Sequence, residues 1–179
     1  SGFAEGINPL TGLEVADPQI LQRRPVVVKV ENLPREHRPQ WGLNSADAVY
    51  EYYTEQGSTR FAAVYYGEDA EVVGPVRSAR FFDIALVQMY KAAFAFGSAY
   101  ETLWNRIAYS DIGNRIVLEN NYSCPALCRH PEQKELLVAN TSKMNDYLRV
   151  AGFNNAPQNL DGLFFQMAIA PGGKPANEV

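Results

Sequence analysis

The sequence predicts an α/β or α+β domain: a mixed β-sheet with a central hairpin and packed helices. Three stretches carry this expectation. "PVVVKVEN" is a β-branched run closed off by Pro25 and by the proline-rich "LPREHRPQWG", the pattern of a buried strand followed by a loop. "ADAVYEYYTEQGSTRFAAVYYGED" holds two strand-like runs joined by a glycine-containing turn, which reads as a hairpin. Apolar positions 81, 82, 85, 86 and 89 then recur at helical spacing within 78–91, and "AAFAFGSAY" returns as an apolar strand. Strand, helix and strand in that order suggest a right-handed crossover to a parallel neighbour.

The elements follow in order. Residues 1–24 contain "NPLTG", Pro18 and Arg23-Arg24 without a sustained period, and read as an extended arm. The globular domain is expected over 25–170. In the hairpin, a turn at Gln56–Thr59 would set Glu55 opposite Arg60, Tyr53 opposite Ala62 and Glu51 opposite Val64. Strand alternation would then place Val49, Glu51, Tyr53 and Glu55 on one face and Tyr50, Tyr52 and Thr54 on the other. Gly74-Pro75 supplies the turn before the 78–91 helix. Beyond it, 101–109 reads as a short helix, "RIVLEN" as a strand, and 140–151 as a helix capped by Thr141 or Ser142 with Gly152 at its end. Residues 171–179 have linker composition and read as the start of a connection to a further domain.

Composition narrows the function classes. At 179 residues the chain can bury one sizeable core. Its net charge is -4 and its Lys and Arg residues are scattered, which argues against nucleic acid as a partner. The longest apolar stretch, 81–100, is interrupted by Asp83, Gln88 and Lys91, so it is no membrane span. Cys124 and Cys128 read equally well as a disulfide or as free thiols. With His130 and His37 they fall short of a convincing zinc set, so neither a metal nor another cofactor is expected.

"VVGPVRSARFFD" raises the functional question. Arg77 and Arg80 stand where a helix begins, although that end already carries partial positive charge. An anion is expected nearby. It is either a ligand, met by two guanidinium forks, free N–H groups and the Ser78 hydroxyl, or the protein's own carboxylates Glu51, Glu55, Asp83 or Glu101. Four residues apart on one strand face, Glu51 and Glu55 would lie roughly 13 Å apart. That is long for the carboxyl pair of an inverting glycosidase, at about 6.5–9.5 Å. Ser98, after Gly97 at a strand end, is placed for a ligand-facing hydroxyl, and no histidine is adjacent to make it a nucleophile.

Taken together, "INPLTG", "VVVKVEN", "RPQWGLNSADAVYEYYTEQGSTRF", "VGPVRSAR" and "FAFGSAY" resemble the YerB-like lipoproteins, a bacterial domain family of uncharacterised function. The likeness covers residues 7–100 and is looser beyond Tyr100, where "CPALCRH" is not a family feature. It implies an exported protein, held at the membrane only by a lipidated cysteine upstream, with a second domain after residue 179. Arg60, Gly74, Pro75, Arg77, Ser78, Arg80, Gly97 and Ser98 match family motif positions, as do Asn32, Pro39, Gln40, Glu51 and Glu55. From this set, a binding site of Arg60, Arg77, Ser78, Arg80, Glu51, Glu55, Asn32, Gln40 and Ser98 is expected to hold an anionic small molecule or envelope component. Two other readings stay open: an envelope hydrolase using Glu55 or Glu51 as acid or base, and a protein interaction module whose arginines are structural.

Overall fold

A computed structural model describes residues 2–166 and Gly172, so most of the expected linker at 171–179 lies outside the described residues. The fold is α+β. Five strands form one mixed sheet: β1 (Val26–Glu31), β2 (Ala48–Tyr53), β3 (Thr59–Tyr65), β4 (Ala93–Ala95) and β5 (Ile116–Val117), in spatial order β2-β3-β1-β4-β5. β1 runs antiparallel to β3 and parallel to β4, and β4 runs parallel to β5. A small antiparallel pair, β6 (Leu127–Arg129) and β7 (Leu137–Ala139), packs separately. Three helices complete the domain: α1 (Phe81–Met89), α2 (Glu101–Ala108) and α3 (Thr141–Val150).

β1 is the central strand because its β-branched run is buried on both faces. Val27, Val64 and Phe94 face α1 and α2, whereas Val28, Ala63 and Ala95 face Met144 and Leu148 of α3 and the small sheet. The expected hairpin is present at the sheet's edge rather than its centre, since β2 pairs only with β3. After α1 the chain enters β4, whose parallel neighbour is β1. The N-terminal segment joins the same core: Leu10 and Leu21 are buried in the α1-side cluster. Asn140, rather than Thr141 or Ser142, caps α3 by accepting from the Lys143 N–H at 3.1 Å.

The hairpin register and the inward face of α1 also differ from the sequence expectation. The hairpin register pairs Tyr52 with Arg60, Glu51 with Phe61 and Tyr53 with Thr59, so Glu55 is not opposite Arg60. Most of the shift comes from a turn of two residues instead of four, and the rest from a bulge, where the Thr54 N–H donates to Ser58 O at 2.9 Å while Ser58 N–H donates to Glu55 O at 3.0 Å, so two residues face one. Gln56 and Gly57, both with positive φ, make the turn.

The second correction concerns α1. Of the apolar positions read as its core stripe, Phe81 and Phe82 are about half exposed (45% and 46%) and Met89 is 57% exposed, whereas Asp83, Ile84, Leu86 and Val87 are buried. The helix is apolar on nearly every side, so spacing alone does not choose its inward face. Asp83, drawn inside by a buried lysine, does.

Candidate functional site

Side chains at 27, 29 and 31 of β1 share the α1 side of the sheet with 60 and 62 of β3 and 50 and 52 of β2. Lys29 therefore points into the core and is fully buried, as is Asp83. Lys29 Nζ donates to Asp83 Oδ1 at 3.2 Å and to the Tyr52 hydroxyl, which itself donates to Asp83. The ammonium also lies 3.9 Å from the Tyr52 ring centroid. Burial pulls the Lys29 pKa down to about 8 although Asp83 pulls it back up. The other Asp83 oxygen accepts from the Arg80 N–H at 2.6 Å, closing the first turn of α1.

That bond answers half of the question posed by the arginines, because the anion at the start of α1 is Asp83. Glu55 answers the other half. Turned by the bulge towards α1, it accepts from Arg80 Nε at 2.8 Å and from Nη2. Arg80 Nη1 donates to the carbonyls of Ser78 at 3.3 Å and Ala79 at 2.8 Å, so the guanidinium is fixed on backbone as well as on Glu55. Arg80 beside it holds the Glu55 carboxyl below its ordinary range, the opposite of what a general acid needs.

Arg77 leaves the backbone on a different side. Its Nε donates to Glu31 Oε1 at 2.5 Å, and the other oxygen of this buried carboxylate contacts His37 Nδ1 at 2.9 Å. Arg77 lines a hollow of about 160 Å³ together with Arg129 and Glu119. Arg80 lines a separate open cleft of about 760 Å³. Ser78 and Ser98 border both, with their hydroxyls hydrogen-bonded at 2.7 Å.

The larger cleft has aromatic walls. Phe81, Phe82, Tyr52, Tyr53 and Tyr100 line it. Tyr52 meets Phe82 edge to face at 4.6 Å, and Phe81 meets Tyr100 likewise at 5.6 Å. Thr54, Glu55, Ser78, Arg80 and Ser98 supply its polar groups.

Arg60 is half-buried next to Ser78 and lines neither the cleft nor the smaller hollow. Its Nη1 donates to Ser78 O at 2.8 Å, and among the described residues it makes no other hydrogen bond and no ion pair. Glu31 lies opposite it on β1, yet that carboxylate is taken by Arg77 and His37. Burial, with Arg80 alongside, pulls the Arg60 pKa down. Among the described residues Lys29, Arg77 and Arg80 each form an ion pair and Arg60 forms none, although the Glu55 and Glu31 carboxylates act on it from farther away and offset part of the effect of burial.

The remaining expected residues lie elsewhere. Glu51 is on the opposite face of β2, accepting from Asn32 Nδ2 at 2.9 Å and from Thr59 Oγ1 at 2.7 Å. Glu51 and Glu55 are therefore not a facing carboxyl pair, and Asn32 belongs with Glu51 rather than with the cleft. Gln40 does not line the cleft; its Nε2 is buried without a partner among the described residues. Cys124 and Cys128 form a disulfide. Among the described residues no group of three or more His, Cys, Asp or Glu side chains is arranged to hold a metal, and no helix is long and apolar enough to cross a membrane. Sequence reading missed Lys29 and Tyr52. A lone lysine within an apolar β-branched run was the available signal, because a lysine buried there requires a partner.

Comparison with known proteins bears on the same region. The family described as "Protein of unknown function (DUF3048) N-terminal domain" matches residues 10–154. A protein of Bacillus subtilis (strain 168) named "Putative lipoprotein YerB" is 44% identical over 86 residues, which is 48% of this chain and 25% of that protein. The crystal structure of YerB protein from Bacillus subtilis matches with a TM-score of 0.76 at 28% identity, covering 89% of this chain and 54% of that one. The chain thus spans about a quarter of the curated relative's length and about half of the solved chain.

Proposed function

The chain belongs to the DUF3048 N-terminal domain family, and from that premise we propose that it is a binding domain working outside the cytoplasmic membrane. The relative named as a lipoprotein supports the location, with a lipid anchor in the full-length protein. The ligand is an anionic component of the cell envelope, glycan or peptide, held in the cleft between the β2–β3 turn and the start of α1.

The observation that carries this reading is Arg60. Among the described residues this half-buried guanidinium forms no ion pair and lies beside Arg80 and Arg77, with Glu55 and Glu31 acting on it only from farther away, so an anion bound in the adjacent cleft adds compensation. The aromatic walls supply apolar contact beside it, and Ser78 and Ser98 supply hydroxyls. Pockets that combine an apolar lining with a few converging polar groups are the usual form of a ligand site.

Calorimetric titration with an anionic muropeptide, and with its amidated neutral counterpart, tests the proposal. Arg60→Ala should weaken binding of the anionic form about tenfold to a hundredfold, the range of a hydrogen bond to a charged group. The neutral form should bind weakly to both proteins. Equal binding of the anionic form to native and Arg60→Ala domains, both folded, would refute the site.

A further inference from the structure

We propose that the ligand is an extended acidic peptide that adds as a strand to the free edge of β2, with alternate side chains entering the cleft. The inference rests on the cleft being a binding site and concerns the class of molecule that fills it.

The hydrogen-bond pattern of the hairpin defines the edge. Thr54 N–H donates to Ser58 O at the turn, and at the other end Asp47 N–H donates to Val64 O at 2.8 Å. With the register Tyr52↔Arg60, Tyr50↔Ala62 and Ala48↔Val64, these bonds mark residues 48, 50 and 52 as the ones bonded to β3. Val49, Glu51 and Tyr53 consequently direct their N–H and C=O groups away from the sheet. Among the described residues nothing pairs with them.

Edges of this kind are usually guarded by lysine or proline. β2 has neither, its one charged side chain being Glu51, and Val49 and Tyr53 are 42% and 65% exposed.

Two hollows lie along the α1 side of this edge. Tyr50, Met89 and Tyr90 border an apolar one of about 210 Å³, and Tyr52 borders the aromatic cleft. Tyr50 and Tyr52 are two residues apart, about 6.8 Å along a strand, which is also the spacing of alternate side chains in a bound strand. Main-chain pairing with an edge gives affinity, and pockets for alternate side chains give specificity. An apolar side chain fits the first hollow. An acidic one, two positions away, fits the cleft, where Arg80 is the lining cation and its half-exposed partner Glu55 is one that a ligand carboxylate can replace.

The test uses fluorescein-labelled peptides Thr-Leu-Thr-Glu-Thr and Thr-Glu-Thr-Leu-Thr, which cover both strand directions, read by fluorescence anisotropy. Val49→Pro deletes one outward N–H, a position where an edge strand tolerates proline, and should weaken the bound peptide about fivefold. The circular dichroism of the same variant should match that of the native domain. Backbone N-methylation of the peptide on the native domain should weaken it similarly, and this arm stands if Val49→Pro fails to fold.

Peptide binding that ignores both changes, or binding of neither peptide, would overturn the strand-addition model. If the muropeptide still binds in an Arg60-dependent way, the cleft assignment survives that result. A dimer in sedimentation that Val49→Pro dissolves would assign the edge to a second copy and would also overturn the peptide model.

Discussion

Replacing Asp83 by Asn keeps the side chain's size and removes its charge. In the native domain this carboxylate is fully buried and accepts from Lys29 Nζ, the Tyr52 hydroxyl and the Arg80 N–H. The amide cannot balance the ammonium, so Lys29 is left as a buried unpaired cation. Breaking one side of a buried pair costs about 3–5 kcal/mol, a large part of the about 5–15 kcal/mol that holds a domain folded. For a chain of this size the loss corresponds to a melting temperature lower by about 6–20 °C. Urea unfolding of native, Asp83→Asn, Lys29→Met and the double variant measures it. The double variant should be more stable than Asp83→Asn alone, because the uncompensated charge is gone, and the coupling should be well beyond additivity. Asp83→Asn within 1 kcal/mol of native, with additive effects in the double variant, would refute the reasoning.

Three further outcomes are expected. Lys29 titrates near 8 in the folded domain and near 10.4 when unfolded. The unfolded chain therefore binds more protons between those values, and stability should rise with pH across that window by up to about 1.4 kcal/mol per unit relative to Lys29→Met, as urea midpoints would show. Glu55→Gln removes the exposed partner of Arg80 and should change stability by less than about 1 kcal/mol, read from the same curves, because half-exposed ion pairs contribute little. Reducing the Cys124–Cys128 disulfide, which closes a loop with a sequence separation of 4, should cost about 2 kcal/mol on the chain-entropy account, visible as a lower melting temperature in dithiothreitol.

The central strand, the hairpin, β4 and the three helices were legible because each carries a period or a boundary signal of its own. "VVVKVE" is β-branched throughout, and "AAFAF" sits between a helix and a glycine. The hairpin register was not legible, since it depends on a two-residue turn at Gln56-Gly57 and on a bulge at Thr54-Glu55, and no composition rule fixes where an extra residue is inserted.

The inward face of α1 was misread for a related reason. Phe81, Phe82 and Met89 compete with Ile84, Leu86 and Val87 for burial, and the choice is made by Asp83, whose partner Lys29 lies 54 residues earlier on another element. The exposed aromatics that result are the walls of the cleft.

At the site, the arginine motif was visible while its division was not. Arg77 and Arg80 are three residues apart on an extended segment yet reach different hollows, because the Ser78–Ser98 contact stands between them. The anion expected at the helix start proved to be Asp83 together with Glu55. What distinguishes Arg60 is that among the described residues it forms no ion pair, which is recognised only once every neighbouring carboxylate has been placed.

The central claim is that the aromatic cleft beside Arg60 binds an anionic ligand. The most direct measurement is an amide chemical-shift titration of the domain with the anionic muropeptide. Saturable shifts are expected to concentrate at Tyr52–Glu55, at Ser78 and Arg80–Phe82, and at Ser98–Tyr100, the residues that line the cleft, and to be lost in Arg60→Ala. Shifts centred elsewhere, or the same pattern undiminished in Arg60→Ala, would contradict it.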